Sequence, residues 1–241
     1  MPSEQEPGLR FEIGHVLFID IIGYSRLLIT EQSELLRQLT EVVRATEEFR
    51  LAEAEGKLVR LPTGDGMALV FRNTPEAPVR CALELSEALK EKPHLRLRMG
   101  IHSGPVNEVA DVNERTNITG AGINMAQRVM DCGDAGHILL SKHVADDLEQ
   151  YPQWRPHLHE LGECEVKHGA RVSVVNLYTE KLGNPELPEK FKGPSGPPSD
   201  GLVVFASGRT RRGRRARTRR RKEPAHKPAA ENIFSLLVQS L

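Results

Sequence analysis

Apolar and polar positions follow two rhythms along the first 180 or so residues, and each change of rhythm marks an element. His15–Ile22 (HVLFIDII) is a β-branched and aromatic run interrupted by Asp20 and bounded by Gly23, which predicts a buried strand. From Glu31 to about Glu55 the apolar residues Leu35, Leu36, Leu39, Val42, Val43, Phe49 and Ala52 lie on one face of a helical repeat. One helix is expected there, capped by Thr30 and stopped by Gly56. Lys57–Leu61 and Met67–Phe71 read as the arms of a hairpin around Pro62-Thr63-Gly64-Asp65-Gly66. Thr74-Pro75-Glu76 opens a helix that runs to about Glu91, with Pro93 beyond it. Leu95–His102 alternates apolar and polar residues, as a half-buried strand does. A helix over Gly120–Cys132, a strand over Gly136–Leu140, a helix over Ser141–Glu149 and a last strand over Val172–Tyr178 complete the series. The order β-α-β-β-α-β followed by a mixed subdomain predicts an α+β fold: a ferredoxin-like βαββαβ core whose antiparallel sheet carries helices on one face.

The pattern stops near Gly183. Residues 183–200 hold five prolines and three glycines and read as a linker. Residues 201–241 carry 11 Lys/Arg against two acidic residues, whereas residues 1–200 carry 22 basic against 31 acidic residues. A formal net charge of zero therefore hides an acidic body and a basic tail. The expected organisation is a leader over 1–12, one folded domain over 13–182, the linker, and an Arg-rich, disordered tail over 201–241. Gly208–Lys222 lacks interleaved aromatic residues, so it suits non-specific contact with a polyanion or an anionic membrane surface rather than specific nucleic-acid reading. The abrupt change of composition after Ser199 fits either a functional tail or an end that is out of frame. Cys81, Cys132 and Cys164 are dispersed and odd in number, and no apolar run reaches the length of a membrane span. Together these lead to the expectation of a cytoplasmic location.

Three segments carry candidate chemistry. Asp20 is a carboxylate inside an apolar run, where leaving it unpaired would be expensive. Asp65 sits at a Gly-Asp-Gly tip, where it is either an ordinary turn residue or a ligand. In a β-α-β-β arrangement the first strand and the hairpin share a sheet, so the two carboxylates can meet at one edge and suit hard cations such as Mg²⁺ or Mn²⁺. Gly23 and the glycines flanking Asp65 permit close approach of backbone to phosphate. The third segment, Asn117–Arg128, leads through glycines into a helix on which Asn124 and Arg128 share a face.

Taken together, LFIDIIGYS, RLPTGDGMALVF, LRMGIHSGPV and GAGINMAQRV resemble the class III adenylate/guanylate cyclase catalytic domain over roughly residues 13–180. The resemblance implies the nucleotide cyclase fold and a reaction that converts ATP, less readily GTP, to the 3′,5′-cyclic monophosphate and pyrophosphate. It implies two divalent cations per site, Mg²⁺ or Mn²⁺, on Asp20 and Asp65. It also implies phosphate contact by Ile21, Ile22, Gly23 and Tyr24, and a phosphate-binding lysine matched by Lys167. Asn124 and Arg128 would act from the other subunit of a homodimer with shared sites.

The sequence departs from the family at the purine-reading positions. Leu61 stands where typical adenylate cyclases have lysine, and Asn117 stands where aspartate is frequent. Leu61 offers no polar contact to a base, and Asn117 can pair with either purine. Arg60 is adjacent but should face the other way on a strand. A catalytically weak or inactive cyclase-homology domain, serving as a nucleotide-sensing or dimerisation module, is the alternative reading. The histidines show no zinc spacing, and His102 is expected to pack or hydrogen-bond at a strand end.

Overall fold

The computed structural model describes residues 12–110, 116–166 and 169–192, and these fall within one compact unit. The elements are β1 (Glu12–Ile21), α1 (Ile29–Ala45), α2 (Glu47–Ala54), β2 (Leu58–Pro62), β3 (Gly66–Phe71), α3 (Ala77–Ala88), β4 (Leu97–Ala110), β5 (Thr116–Thr119), α4 (Ala121–Met130), β6 (Ile138–Ser141), α5 (Lys142–Leu148), β7 (Leu158–Glu165) and β8 (Arg171–Leu177). The sheet runs β2-β3-β1-β4-β6-β8-β7, and β5 pairs with β4. All pairings are antiparallel except β4 with β6. The α+β class and the ferredoxin-like order of the first four core strands agree with the sequence.

Strand alternation sorts β1 between two cores. Leu17, Ile19 and Ile21 face a large cluster built with Leu39 and Val43 of α1, Phe49 of α2, Leu85 of α3 and Val144 of α5. Val16 and Phe18 face a second cluster with Ala126 and Met130 of α4. Helices therefore cover both faces, where the sequence led us to expect one. Gly100 makes this possible, because a Cβ there would stand 2.4 Å from Met130 N and 2.6 Å from the Ala126 carbonyl. Each large side chain buried this way contributes about 1.5–3 kcal/mol, so the two clusters fix which way β1 presents its polar residue.

Several boundaries move for physical reasons. The expected single helix over 31–55 is broken at Thr46, which is extended (φ −64°, ψ 144°) and donates its hydroxyl to the Val43 carbonyl at 2.8 Å. After the break, buried Glu48 meets Arg80 of α3 at 2.7 Å. Gly56 does end the second segment, at φ 67°. The strand expected to end at His102 continues to Ala110, because β1 pairs with it as far as Val106 and β5 beyond. Leu158–Glu165 is a further strand that the alternation does not predict, because a bulge between Glu160 and Gly162 spaces its core-facing Leu158, Leu161 and Cys164 three apart instead of two. The stretch from Gly183, expected to be a linker, packs on the domain through Lys192. There Phe191 is buried, the Asn176 amide donates to the Asn184 carbonyl at 2.8 Å, and His137 Nε2 lies 2.8 Å from the Glu186 carbonyl. The expected leader (residues 1–11 of it) and the Arg-rich tail lie outside the described residues.

Candidate active site

Asp20 is the last inward residue of β1 on the α4 side and is buried at 6% exposure. Its register partners are Gly66 on β3 and Arg98 on β4. Glycine is required opposite it, because a Cβ on residue 66 would stand 2.0 Å from the Ile19 carbonyl oxygen. That close fit brings the hairpin tip against the end of β1, where Ile21 N donates to the Asp65 carbonyl at 3.0 Å. Arg98 donates from Nε to Asp20 Oδ2 at 2.8 Å and pairs through Nη2 with Asp131 Oδ1 at 3.1 Å.

Asp20 and Asp65 line one pocket of about 300 Å³ with Ile21, Ile22, Gly23, Tyr24, Ser25 and Arg98, and Gly133 and Asp134 close its far side. Burial raises the Asp20 carboxyl to about 6; the Arg98 guanidinium opposes this, and the neighbouring Asp65 charge adds to it. After β1 the chain turns at Gly23, at φ 83°, into a 3-10 turn over Tyr24–Arg26. Ile22 N is tied to the Arg96 carbonyl at 2.9 Å. A non-glycine residue would be strained at position 23.

The donor set suits a hard divalent cation. It offers two carboxylates, one of them buried beside the other's charge, which a cation relieves. Among the described residues no group of three or more His, Cys, Asp or Glu is arranged to hold a metal ion, so further ligands would be backbone, water or substrate oxygens.

The remaining candidates stand elsewhere. Asn124 is exposed and Arg128 half-buried on α4, and neither lines this pocket. Leu61 is half-buried in the α4-side cluster with Val59 and Ile123. Arg60 faces the other way, paired with Glu53 at 2.7 Å and lying 5.9 Å from the Phe49 ring centre. Asn117 lies on β5 opposite Val109, and Lys167 is outside the described residues. The sequence reading missed Arg98. Residue order gives it no distinct signal, since a polar residue on an alternating strand reads as solvated. His102 Nδ1 lies 2.8 Å from Ser141 Oγ, but inside β4 (Leu97–Ala110) rather than at the strand end expected of it.

The family whose pattern matches residues 10–179 is the adenylate and guanylate cyclase catalytic domain. This chain belongs to that family. Similar curated proteins are the atrial natriuretic peptide receptor 2 of Rattus norvegicus and of Homo sapiens, each 26% identical over 197 residues, covering 73% of this chain and 18% of the receptor. The chain thus spans about 18% of the length of these curated relatives. Among solved structures the cyclase domain resembles the adenylyl cyclase CyaB of P. aeruginosa, at TM-score 0.57 and 20% identity over 73% of this chain and 99% of that one. It also resembles the Silicibacter pomeroyi adenylate/guanylate cyclase/hydrolase, at TM-score 0.55 and 24% identity over 72% of this chain and 100% of that one. The guanylate cyclase domain of Catenaria anguillulae RhGC, solved with GTP, matches at TM-score 0.56 and 22% identity over 73% of this chain and 100% of that one. Among the described residues no helix is long and apolar enough to cross a membrane.

Proposed function

We propose that the chain is a homodimeric nucleotide cyclase that converts ATP, less readily GTP, to the 3′,5′-cyclic monophosphate and pyrophosphate. The observation that carries this reading is the meeting of Asp20, Asp65 and the Ile21–Ser25 turn around one pocket. Asp20 and Asp65 would hold two divalent cations, Mg²⁺ or Mn²⁺. When bound, such ions lower the pKa of the ribose 3′-hydroxyl and neutralise charge on the leaving pyrophosphate.

The chain's own residues do the rest. The turn from Ile21 to Tyr24 brings backbone close to the phosphates, with Gly23 supplying the left-handed conformation. Arg98 lies within reach of the same space and adds positive charge where phosphate charge develops. Asn124 and Arg128 lie outside this pocket in their own chain, which supports their acting on a second copy's site. There Asn124 would orient the ribose and Arg128 would stabilise charge on the α-phosphate. Lys167 would add a phosphate contact. No side chain of the pocket stands out as a general base, so the proton of the 3′-hydroxyl would pass to solvent water. Leu61 and Asn117 would face the purine, and Asn117 alone of the two can hydrogen-bond it.

The apolar neighbours of Leu61 favour a second reading, a nucleotide-binding module with little turnover. One assay separates the two. Purified chain is incubated with ATP or GTP and with Mg²⁺ or Mn²⁺, and both cyclic product and bound nucleotide are measured. Cyclic product supports the cyclase; nucleotide bound without product under all four conditions leaves the sensing module.

A further inference from the structure

The turn that carries Asp65 has two sides. One faces the pocket described above. The other closes a separate cavity of about 480 Å³ between α1, α2 and the β2–β3 hairpin, and Gly64 and Gly66 form part of its wall. Its body is apolar, formed by Leu36, Val43, Phe49, Pro62 and Met67, with Thr40, Arg44 and Arg60 as its polar residues. Leu36, Thr40, Val43 and Arg44 share this side of α1 because they recur at helical spacing. The two arginines differ. Arg60 is already paired with Glu53 at 2.7 Å. Arg44 is exposed and has no ion pair among the described residues. A concave, mostly apolar cleft of roughly 300–1,000 Å³ with a few convergent polar groups is the usual form of a small-molecule site, and this one opens to solvent at its arginine rim.

We propose that this cavity binds an amphipathic carboxylate, with its alkyl body among Leu36, Val43, Phe49 and Met67 and its head on Arg44. Charge complementarity selects the head, since Arg44 offers an unpaired guanidinium and Arg60 already shows a carboxylate bound at the same rim. A ligand here presses on the backbone beside Asp65, so its occupancy shifts cation affinity at the neighbouring pocket. That coupling rests on the cyclase reading; the binding itself does not.

The test is calorimetric titration of the full chain, without nucleotide, with decanoate, butyrate and decanol. One decanoate per chain is expected. Binding should be at least about tenfold weaker for butyrate, which lacks the body, and for decanol or the exposed variant Arg44→Glu, which lack the ionic contact. Decanol binding as tightly as decanoate, or unchanged affinity in Arg44→Glu, overturns the proposal. The native cysteines are buried, so alkylation of Thr40→Cys reports the cavity mouth. Decanoate should slow that reaction. Protection that depends on protein concentration instead assigns the face to a second copy and overturns the ligand site. Mn²⁺ affinity unchanged by saturating decanoate overturns the coupling and leaves the cyclase assay unaffected.

Discussion

Asp20 and Arg98 are register partners on β1 and β4, and the guanidinium reaches the carboxylate at 2.8 Å. The same guanidinium also pairs with Asp131 at 3.1 Å. Arg98 therefore joins the end of β1 to the segment just after α4, and it partly offsets the burial that raises Asp20. Replacing Arg98 with alanine should lower kcat/KM for nucleotide by roughly 10–100-fold, the range of one lost charge-assisted contact. Arg98→Lys should recover part of the loss. Steady-state kinetics on both variants checks this, and equal kcat/KM in wild type and Arg98→Ala would remove Arg98 from the site.

Gly66 should tolerate no side chain. Gly66→Ala places a Cβ 2.0 Å from a backbone oxygen of β1, so the hairpin must move or the sheet must open. The expected cost is about 3 kcal/mol, the upper part of the overpacking range, and with it goes the alignment of Asp65 beside Asp20. Gly162→Ala is the contrast: its φ is +89° but nothing lies within 4 Å, so about 1–2 kcal/mol of backbone strain is expected. Urea melts of the two variants compare the costs, and equal midpoints would contradict this packing account.

His102 should make the fold sensitive to acid. Burial, helped by the nearby His143, lowers its pKa from 6.5 to about 4. The unfolded chain therefore binds a proton that the folded chain resists. The stability His102 contributes is full above pH 6.5 and is lost as pH falls towards 4. The raised Asp20 has the opposite sign, since its contribution is lost as pH rises through about 6. Comparison with His102→Gln isolates the histidine: its stability should fall less between pH 6.5 and pH 4 than that of the wild type. Parallel stability curves for the two proteins would count against this assignment.

Much of this was legible in residue order. The run around Asp20 could only be a buried strand, and Gly-Asp-Gly between β-rich arms could only be a tight turn, so both carboxylates were found. Local signals could not show that Thr46 breaks a helix whose apolar face continues across the break, because its reason is tertiary: the packing of Glu48 on Arg80. Nor could they show α4 crossing the sheet's second face, since that depends on Gly100 leaving room for the helix backbone. Arg98 was hidden for a related reason. An alternating strand reads as half-exposed, and a polar residue on it looks solvated until the strand order places it opposite Asp20. The edge strand β7 escaped the period-two pattern because its bulge spaces Leu158, Leu161 and Cys164 three apart.

Base choice should follow Leu61. Leu61 is half-buried among apolar neighbours and would give a purine no hydrogen bond. Leu61→Lys should raise the ATP-over-GTP ratio of kcat/KM by about tenfold, the worth of one added charge-assisted contact. Parallel kinetics with both nucleotides measures it, and an unchanged ratio would place Leu61 away from the base.

Sharing of the site between two chains is tested most directly by mixing inactive partners. Asp20→Ala removes a carboxylate from the pocket, and Arg128→Ala alters the α4 face that lies outside it. Each alone should be inactive. Co-refolded in equal amounts, they should form heterodimers with one intact site each, restoring roughly a quarter of wild-type turnover if pairing is random. Turnover that stays at the level of the separate variants, in mixtures shown to contain heterodimer, would contradict the shared site.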